Sequence, residues 1–592
     1  MQIPPGLVYL STVLPGFIFP PIGLHLALQW AHSRSLVSVQ LSLWVLLLVF
    51  VSARLCFFFG KGQYVQWRNS RDAARLGAEL PSRVPQSGFE TANQFKEMIE
   101  RGYPAEVFLR WTQTYGDVVG ASIFTNHMLV THEPSHVKVI LATQFDTFGK
   151  SYASQDTFQS LFGTGIFNSN GEMWKFHRGI TRPFFTRERI SDFEIYERNS
   201  AISLKAASER LSQGYSIDIQ DLFGRFTLDS ATEFLFGQSV DSLSAELPFP
   251  PAYAHLNTAA YHNHPSNVFV EAFTHGLTRT ASRAGLGAEW RLFEFAGDKV
   301  KPMRKVMDEF VKPMIERALK DRETGFSEKS KAPHTVLASL VDHTQDEQVL
   351  KDELVNLLVA GRDTTMSLLA FSIYMITQNP GTEDRLRQEI LNIVGPTGAP
   401  DYSQIREMKY LRAFLNEVLR LYPVVPVDSR MAFQDTTLPS TGPGKKPIFV
   451  PKNTECVYSV LNMQRRTDLW GPDALVFDPD RFIDERLHKY LTPNPFIFCP
   501  FNAGPRICLG QQFAYHEASY YLIRLLQKFS SFELDSSSNI PPPAEWAQGE
   551  GRKSLEKIHP AVHLTMYVKG GLWVRMKEYK HNISDVSLSA EH

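Results

Sequence analysis

The sequence predicts a mainly α fold with small β-sheets (α+β), a single large catalytic domain behind an N-terminal membrane anchor. Three observations carry this. From Thr344 to Asn379 the chain keeps helical spacing without a breaker, which at 1.5 Å per residue makes a rod of roughly 50 Å. Residues 37 to 60 form a second apolar run, and about 20 apolar residues suffice to cross a bilayer. Beyond residue 90 the 592-residue chain shows no internal repeat, low-complexity block or long linker. One domain of roughly 500 residues therefore fits better than the four or so that length alone would suggest.

Composition narrows the class further. A hydrophobic content of 43% with 21% charged residues suits a globular core. A net charge of −1 gives no drive toward nucleic acid. The four cysteines, Cys56, Cys456, Cys499 and Cys508, lack C-x-x-C spacing, which argues against a zinc site or a disulfide framework and suits a reducing compartment.

The anchor comes first in the chain. No acidic or basic residue precedes Arg34, and residues 7 to 30 are largely apolar but interrupted by Pro15, Pro20 and Pro21. The stronger run, Leu41 to Ala53 and then Leu55 to Phe59, holds only Arg54 near one end. A signal peptide would need a charged start and a shorter apolar stretch; a buried core helix is the plainer alternative. Lys61, Arg68, Arg71 and Arg75 follow the run against Arg34 alone before it, a bias that places the bulk of the chain in the cytosol. Whether residues 7 to 30 make a second span stays open. Pro81 and Pro85 read as a hinge. The divisions are thus 1–60 anchor (main span about 37–59), 61–90 basic and proline-containing hinge, 91–575 catalytic domain, and 576–592 a disordered tail. Asn582-Ile-Ser584 in that tail matches a glycosylation acceptor that a cytosolic end would leave unused.

Chemistry-bearing residues then appear in order. Trp174 and Arg178 stand at i and i+4, on one helical face. Residues 190 to 340 are helical without nameable chemistry, and the Pro- and His-rich stretch Leu247 to Val268 reads as a loop between mobile helices. The long helix opens on a capping-box pattern, Thr344-Gln-Asp-Glu347. Leu354 to Val359 is apolar on nearly every face, which predicts a buried middle. Ala360-Gly-Arg-Asp-Thr-Thr365 follows; a mid-helix glycine costs about 1 kcal/mol relative to alanine, so Gly361 implies a close neighbour. Ala360, Asp363 and Thr364 share a face. One reading is a core helix with a hydroxyl bonded back to the previous turn. The other is a proton-delivery pair, favoured because a buried carboxylate without a partner or a task is costly.

Glu417 and Arg420, at i and i+3, sit on a helix that Pro423 ends. Val424, Val425 and Val427 line a pocket or belong to the core; Arg430 follows, and Arg481 lies in the extended Phe477–Phe482. Last comes Phe501-Asn-Ala-Gly-Pro-Arg-Ile-Cys-Leu-Gly510. Gly504, Pro505 and Gly510 shape a tight loop around Cys508, with Arg506 beside it and a helix from Gln511 to Phe529 behind. The positive helix end favours the thiolate.

The ordered set Trp-x-x-x-Arg, Ala-Gly-x-Asp-Thr-Thr, Glu-x-x-Arg and Phe-x-x-Gly-x-Arg-x-Cys-x-Gly resembles the cytochrome P-450 family across roughly residues 90 to 575. The resemblance implies the P-450 fold, with haem b held through the iron by Cys508 within the loop bounded by Phe501 and Gly510. Trp174, Arg178, Arg430 and Arg506 would neutralise the haem propionates. Asp363 and Thr364 would deliver protons while dioxygen is reduced. Glu417, Arg420 and Arg481 would form a structural network, with Asp480 standing where the family usually has glutamate. Since only about 80 residues follow Cys508 and none reads as a flavin or nicotinamide site, electrons would come from NADPH through a membrane-bound cytochrome P-450 reductase, with cytochrome b5 as a further donor. Lys175 and Arg182 are the candidate docking residues, and the endoplasmic reticulum membrane the location, with the catalytic domain facing the cytosol.

The wording Gly504 to Ala514, with Asp-Thr-Thr-Leu-Pro at 435 to 439 and Gly471-Pro-Asp-Ala474, is similar to the fungal alkane- and fatty-acid-hydroxylating branch. It implies small apolar substrates, long alkanes or fatty acids oxidised near the terminus; aromatic xenobiotics are the alternative. A haem-thiolate sensor is a rival of another class, which would have no use for the Asp363–Thr364 pair.

Overall fold

The computed structural model describes all residues except 1–2, 37, 39–40, 125, 191–192, 325–334 and 581–592. Two apolar helices, α1 (Pro5–Val13) and α2 (Pro15–Ser33), precede α3 (Leu43–Arg75). Helix α3 is unbroken, so residues 61–75, which the sequence placed in a hinge, continue the anchor helix. Gly60 and Gly62 weaken a helix without stopping it, and Asp72 gathers Arg68, Arg71 and Arg75 at 3.9, 3.1 and 3.4 Å along the last turns. The chain turns only at Gly77, with φ +64°. Ala73 and Ala78 then seat on Phe449 and fix the end of the rod to the catalytic body.

Six short strands, β1 (Ser82–Arg83), β2 (Val118–Ile123), β3 (Asn126–Thr131), β4 (Phe148–Gly149), β5 (Val427–Ala432) and β6 (Glu455–Ser459), form the largest sheet, in the order β1-β2-β3-β6-β5-β4. Antiparallel pairing of β5 with β6 sets Arg430 opposite Cys456. Three smaller sheets accompany it, and the helices that frame the site are α4 (Gly171–Thr181), α5 (Ile219–Phe236), α6 (Glu347–Gln378), α7 (Lys409–Leu421) and α8 (Gln511–Lys528).

Helix α6 is the axis of the body. Its cap is Asp346, not Thr344: Oδ1 accepts from the N–H of Gln348 at 2.9 Å and of Val349 at 3.3 Å, where a carboxylate best meets the orphan donors. Length and composition would let both α3 and α6 cross a membrane, but the apolar window of α6 is 83% buried in protein and that of α3 only 6%. Leu350 to Val359 pack in one apolar cluster with Phe162, Leu228 and Phe273. Met366 to Ile376 pack in another with Phe223, Leu415 and Tyr521. The polar string 360–365 lies on the seam between the two.

Two boundaries differ from the sequence reading. Leu247–Val268 holds a 3-10 turn, Pro251–Leu256, and a short helix, Ala259–Asn263, whose first turn Thr258 caps. The strand Trp573–Glu578 runs past residue 575 because it pairs with Phe529–Leu534. The glycosylation pattern at Asn582 lies outside the described residues.

Candidate active site

The cysteine loop is held by its own backbone. The N–H of Cys508 donates to the carbonyl of Phe501 at 3.0 Å, and the Phe501 ring packs on Tyr515 of α8, 5.2 Å between centroids. Gly504 has φ +68°, and a Cβ there would lie 1.9 Å from the carbonyl oxygen of Leu141. No other residue fits. Gly510 differs from expectation: at φ −83° it is an ordinary helix N-cap, and a Cβ there would meet Phe185 at 3.5 Å and the Cys508 sulfur at 4.0 Å, ordinary contacts that do not demand glycine.

Charge at the sulfur also corrects the sequence. Burial pushes the Cys508 thiol up, while the Gly510 N–H and Arg178 pull it back without prevailing. Desolvation outweighs the helix end, and a bound metal is what would make the thiolate. Cys508 is exposed, on the wall of a cleft of about 870 Å³ lined by Trp174, Arg178, Phe185, Pro505 and Ile507 among others. That is the size of a ligand or cofactor pocket.

Cations converge around this loop. Arg178 donates through both terminal nitrogens to the carbonyl of Ile507 at 3.0 Å. Its guanidinium lies 5.6 Å from the Trp174 ring, and that of Arg506 4.4 Å. Arg506 donates to the Ser169 carbonyl at 3.1 Å and to Asn170 Oδ1 at 3.0 Å. Arg430 is buried on β5, bonded to Asp428 at 2.8 Å and to the Ser429 carbonyl at 2.6 Å. Asp428 also takes Lys150 at 3.1 Å, the Asn502 amide at 3.1 Å and the Tyr458 hydroxyl at 3.2 Å.

Burial opposes ionisation of Asp428, but Arg430 and Lys150 hold its carboxyl well below the usual range. Arg506 moves the other way: burial and then Arg430 depress it to about 10, with Arg178 adding to the effect and Asp428 resisting it. Its buried Nε finds no partner among the described residues. Lys150 and Arg430 thus pair with Asp428, and Arg506 shares its charge without a direct bond, a cationic surplus that calls for anions. A sulfur facing a cleft, beside buried guanidinium groups short of negative charge, fits a haem with its two carboxylates. Sequence reasoning missed Asp428 and Lys150. Asp428 was within reach, two residues from Arg430 and so on the same face of a strand; Lys150 carries no such signal.

On α6, only Ala360, Gly361 and Thr364 escape full burial between Asp352 and Ile376. Thr364 Oγ1 donates to the Ala360 carbonyl at 2.6 Å, the back-bonded arrangement. Asp363 is buried and pairs with its neighbour Arg362, so it does not share the open stripe with Thr364. Gly361 has a close neighbour: a Cβ there would lie 2.7 Å from the Cβ of Ala231 on α5. It serves helix packing. The hairpin turn at His563, which the sequence did not flag, packs near Asp363 and Arg362, whose charges act on the imidazole.

The Glu417 network is assembled as the spacing implied. Glu417 takes Arg420 at 2.6 and 2.7 Å, the Asp478 N–H at 2.9 Å and Arg481 at 3.8 Å, with the Glu417, Arg420 and Arg481 side chains fully buried. Asp480 is not a member; it faces outward to Arg385 at 2.6 Å, while Asp473 takes Arg481 at 2.9 Å.

A family model described as cytochrome P-450 matches residues 87–557, most of the chain. The chain belongs to the cytochrome P-450 family. Among curated proteins it is 37% identical to cytochrome P-450 monooxygenase pvhE of Talaromyces variabilis over 72% of this chain and 77% of that one. It is also 37% identical to cytochrome P-450 52A3-B of Candida maltosa (76% and 81%) and 36% to cytochrome P-450 52A1 of Candida tropicalis (72% and 76%). As a cytochrome P-450 it is an oxidoreductase of the monooxygenase class that works with haem, dioxygen and electrons from a redox partner. Its exposed apolar N-terminal helices make it a membrane-anchored member.

Proposed function

We propose that this cytochrome P-450 inserts one oxygen atom from O2 into C–H bonds of long-chain alkanes or fatty acids, at or next to the terminal carbon, using electrons from NADPH. The observation that carries the chemistry is Cys508 on a cleft lined by Trp174 and Arg178, with Arg506 stacked on the same Trp174 ring. The substrate class rests on the likeness to the alkane- and fatty-acid-hydroxylating branch.

Cys508 would hold the iron of haem b, in the loop that Phe501 and Gly510 bound, and Trp174, Arg178, Arg430 and Arg506 would hold the propionates. When bound, the haem supplies dioxygen activation and C–H oxidation. The chain's own residues bind, orient and manage protons. Thr364 must turn its hydroxyl from the Ala360 carbonyl to donate away from its own helix. Asp363 must loosen from Arg362 to pass a proton inward from solvent. The anchor, residues up to about 75, would sit in the endoplasmic reticulum membrane with the body, about 88 to 578, in the cytosol. There Lys175 and Arg182, at the rim of the Cys508 cleft, would meet an NADPH-dependent P-450 reductase, with cytochrome b5 as a second donor.

The test is turnover of a twelve-carbon fatty acid with a fungal reductase and NADPH, after the ferrous–CO band of thiolate haem has been recorded. Hydroxylation at or beside the terminal methyl supports the proposal. Intact thiolate haem with no fatty-acid or alkane product sinks the substrate class, and aromatic hydrocarbons come next. Absence of the thiolate band would overturn the site itself.

A further inference from the structure

Helix α3 carries its own membrane ruler. Trp44 stands near one end and Tyr64 and Trp67 near the other, all exposed; the twenty residues between Trp44 and Tyr64 span about 30 Å, one hydrocarbon thickness with an aromatic belt at each face. Arg54 falls midway, not near an end. A guanidinium at that depth needs a partner.

The partner is on α2. Proline at position 20 has no N–H, so the carbonyl of Gly16, four residues back, loses its helical bond. Arg54 donates to that carbonyl at 3.1 Å, and lies over the rings of Phe17 at 5.0 Å and Phe50 at 5.8 Å. A Cβ on Gly16 would stand 2.6 Å from the guanidinium nitrogen. Trp30, exposed and with Arg34 5.7 Å from its ring, stands near the end of α2 as Trp44 stands near the start of α3.

Both ends of this pair are tied to the catalytic body. The N–H of Gly6 on α1 donates to the Phe295 carbonyl of the catalytic body at 3.2 Å, and the far end of α3 is seated on Phe449. A chain held to the same body at both ends crosses a membrane an even number of times. We propose that Arg54 and the carbonyl freed by Pro20 clasp α2 and α3 into a two-span hairpin, with Arg34 and Ser42 on the opposite side of the membrane from the catalytic body and α1 on the same side. This rests on the membrane-anchor reading.

The test uses the full chain in microsomes, with a glycosylation acceptor either ahead of Pro5 or in a long polar insert after Ser35. Glycosylation of the insert but not of the leading tag supports the hairpin. A glycosylated leading tag means a single span, and an unglycosylated insert means that the pair does not cross; either overturns it. Carbonate extraction keeps the anchor reading separate, since a released chain defeats that reading first. Gly16→Leu should lower the ratio of glycosylated to unglycosylated insert about tenfold, and Arg54→Leu in the same chain should restore it. An unchanged ratio in Gly16→Leu overturns the clasp.

Discussion

The guanidinium of Arg506 lies 4.4 Å above the Trp174 ring, stacking the residue two before Cys508 on a helix more than 300 positions upstream. Arg178 reaches the same ring from its own helix and ties itself to Ile507, between Arg506 and the sulfur. Cysteine loop and α4 are therefore one unit.

Replacing Arg506 with glutamine should weaken haem binding without unfolding the chain. A charge-assisted bond to a carboxylate contributes about 1.5–3 kcal/mol, so haem loss to an apo-globin acceptor should quicken by roughly ten- to a hundredfold. Lys150→Gln, acting only through Asp428, should give a smaller change. Equal haem retention in Arg506→Gln and the parent would remove Arg506 from the propionate set.

Thr364→Ala deletes one hydrogen bond inside α6, worth about 0.5–1.5 kcal/mol, so stability and haem content should barely move. Product formed per NADPH should nonetheless fall by roughly a hundredfold, the low end of general acid–base effects, with hydrogen peroxide in its place. Undiminished coupling would favour the purely structural role of the back-bonded hydroxyl.

Asp363→Asn should be the more damaging neighbour. It leaves Arg362 buried without its counter-charge, at a cost of about 3–5 kcal/mol in urea denaturation. Glu417→Ala should cost at least as much, because Arg420 and the Asp478 N–H both lose their acceptor. A loss under about 1 kcal/mol in Glu417→Ala would contradict the network.

His563 predicts a pH dependence. Burial lowers its pKa from 6.5 to about 4, with Arg362 assisting and Asp363 resisting. The folded state therefore binds fewer protons than the unfolded chain. Its contribution is full above about pH 6.5 and is lost as the pH falls toward 4. His563→Asn, whose amide oxygen can still accept from the Leu564 N–H as Nδ1 does at 2.9 Å, should flatten that slope by about 1–3 kcal/mol in unfolding at pH 7 and pH 4.

Local patterns made much of this legible in the sequence. Helix α6 announced itself by unbroken spacing and α8 by its periodicity, and the four motifs fixed the order of the site. Contacts between distant segments stayed hidden. Gly361 signalled a close neighbour, but only the fold names Ala231. Asp363 and Thr364 share a helical face on paper, yet pairing with Arg362 turns the carboxylate into the core. The thiol of Cys508 shows the same limit: a helix end is visible in sequence, and the desolvation that overrides it is not. Residues 61–75 looked like a hinge because they are polar, and polarity there belongs to a helix leaving lipid.

That last helix has a mechanical consequence. From Trp67 to Ala73 the rod projects about 9 Å with no swivel before it meets the body. It acts as a stanchion, setting both the standoff and the bearing of the catalytic body over the bilayer. Changing the membrane's thickness should tilt the whole enzyme, and inserting a flexible joint after Trp67 should let it wander from the surface while its chemistry stays intact.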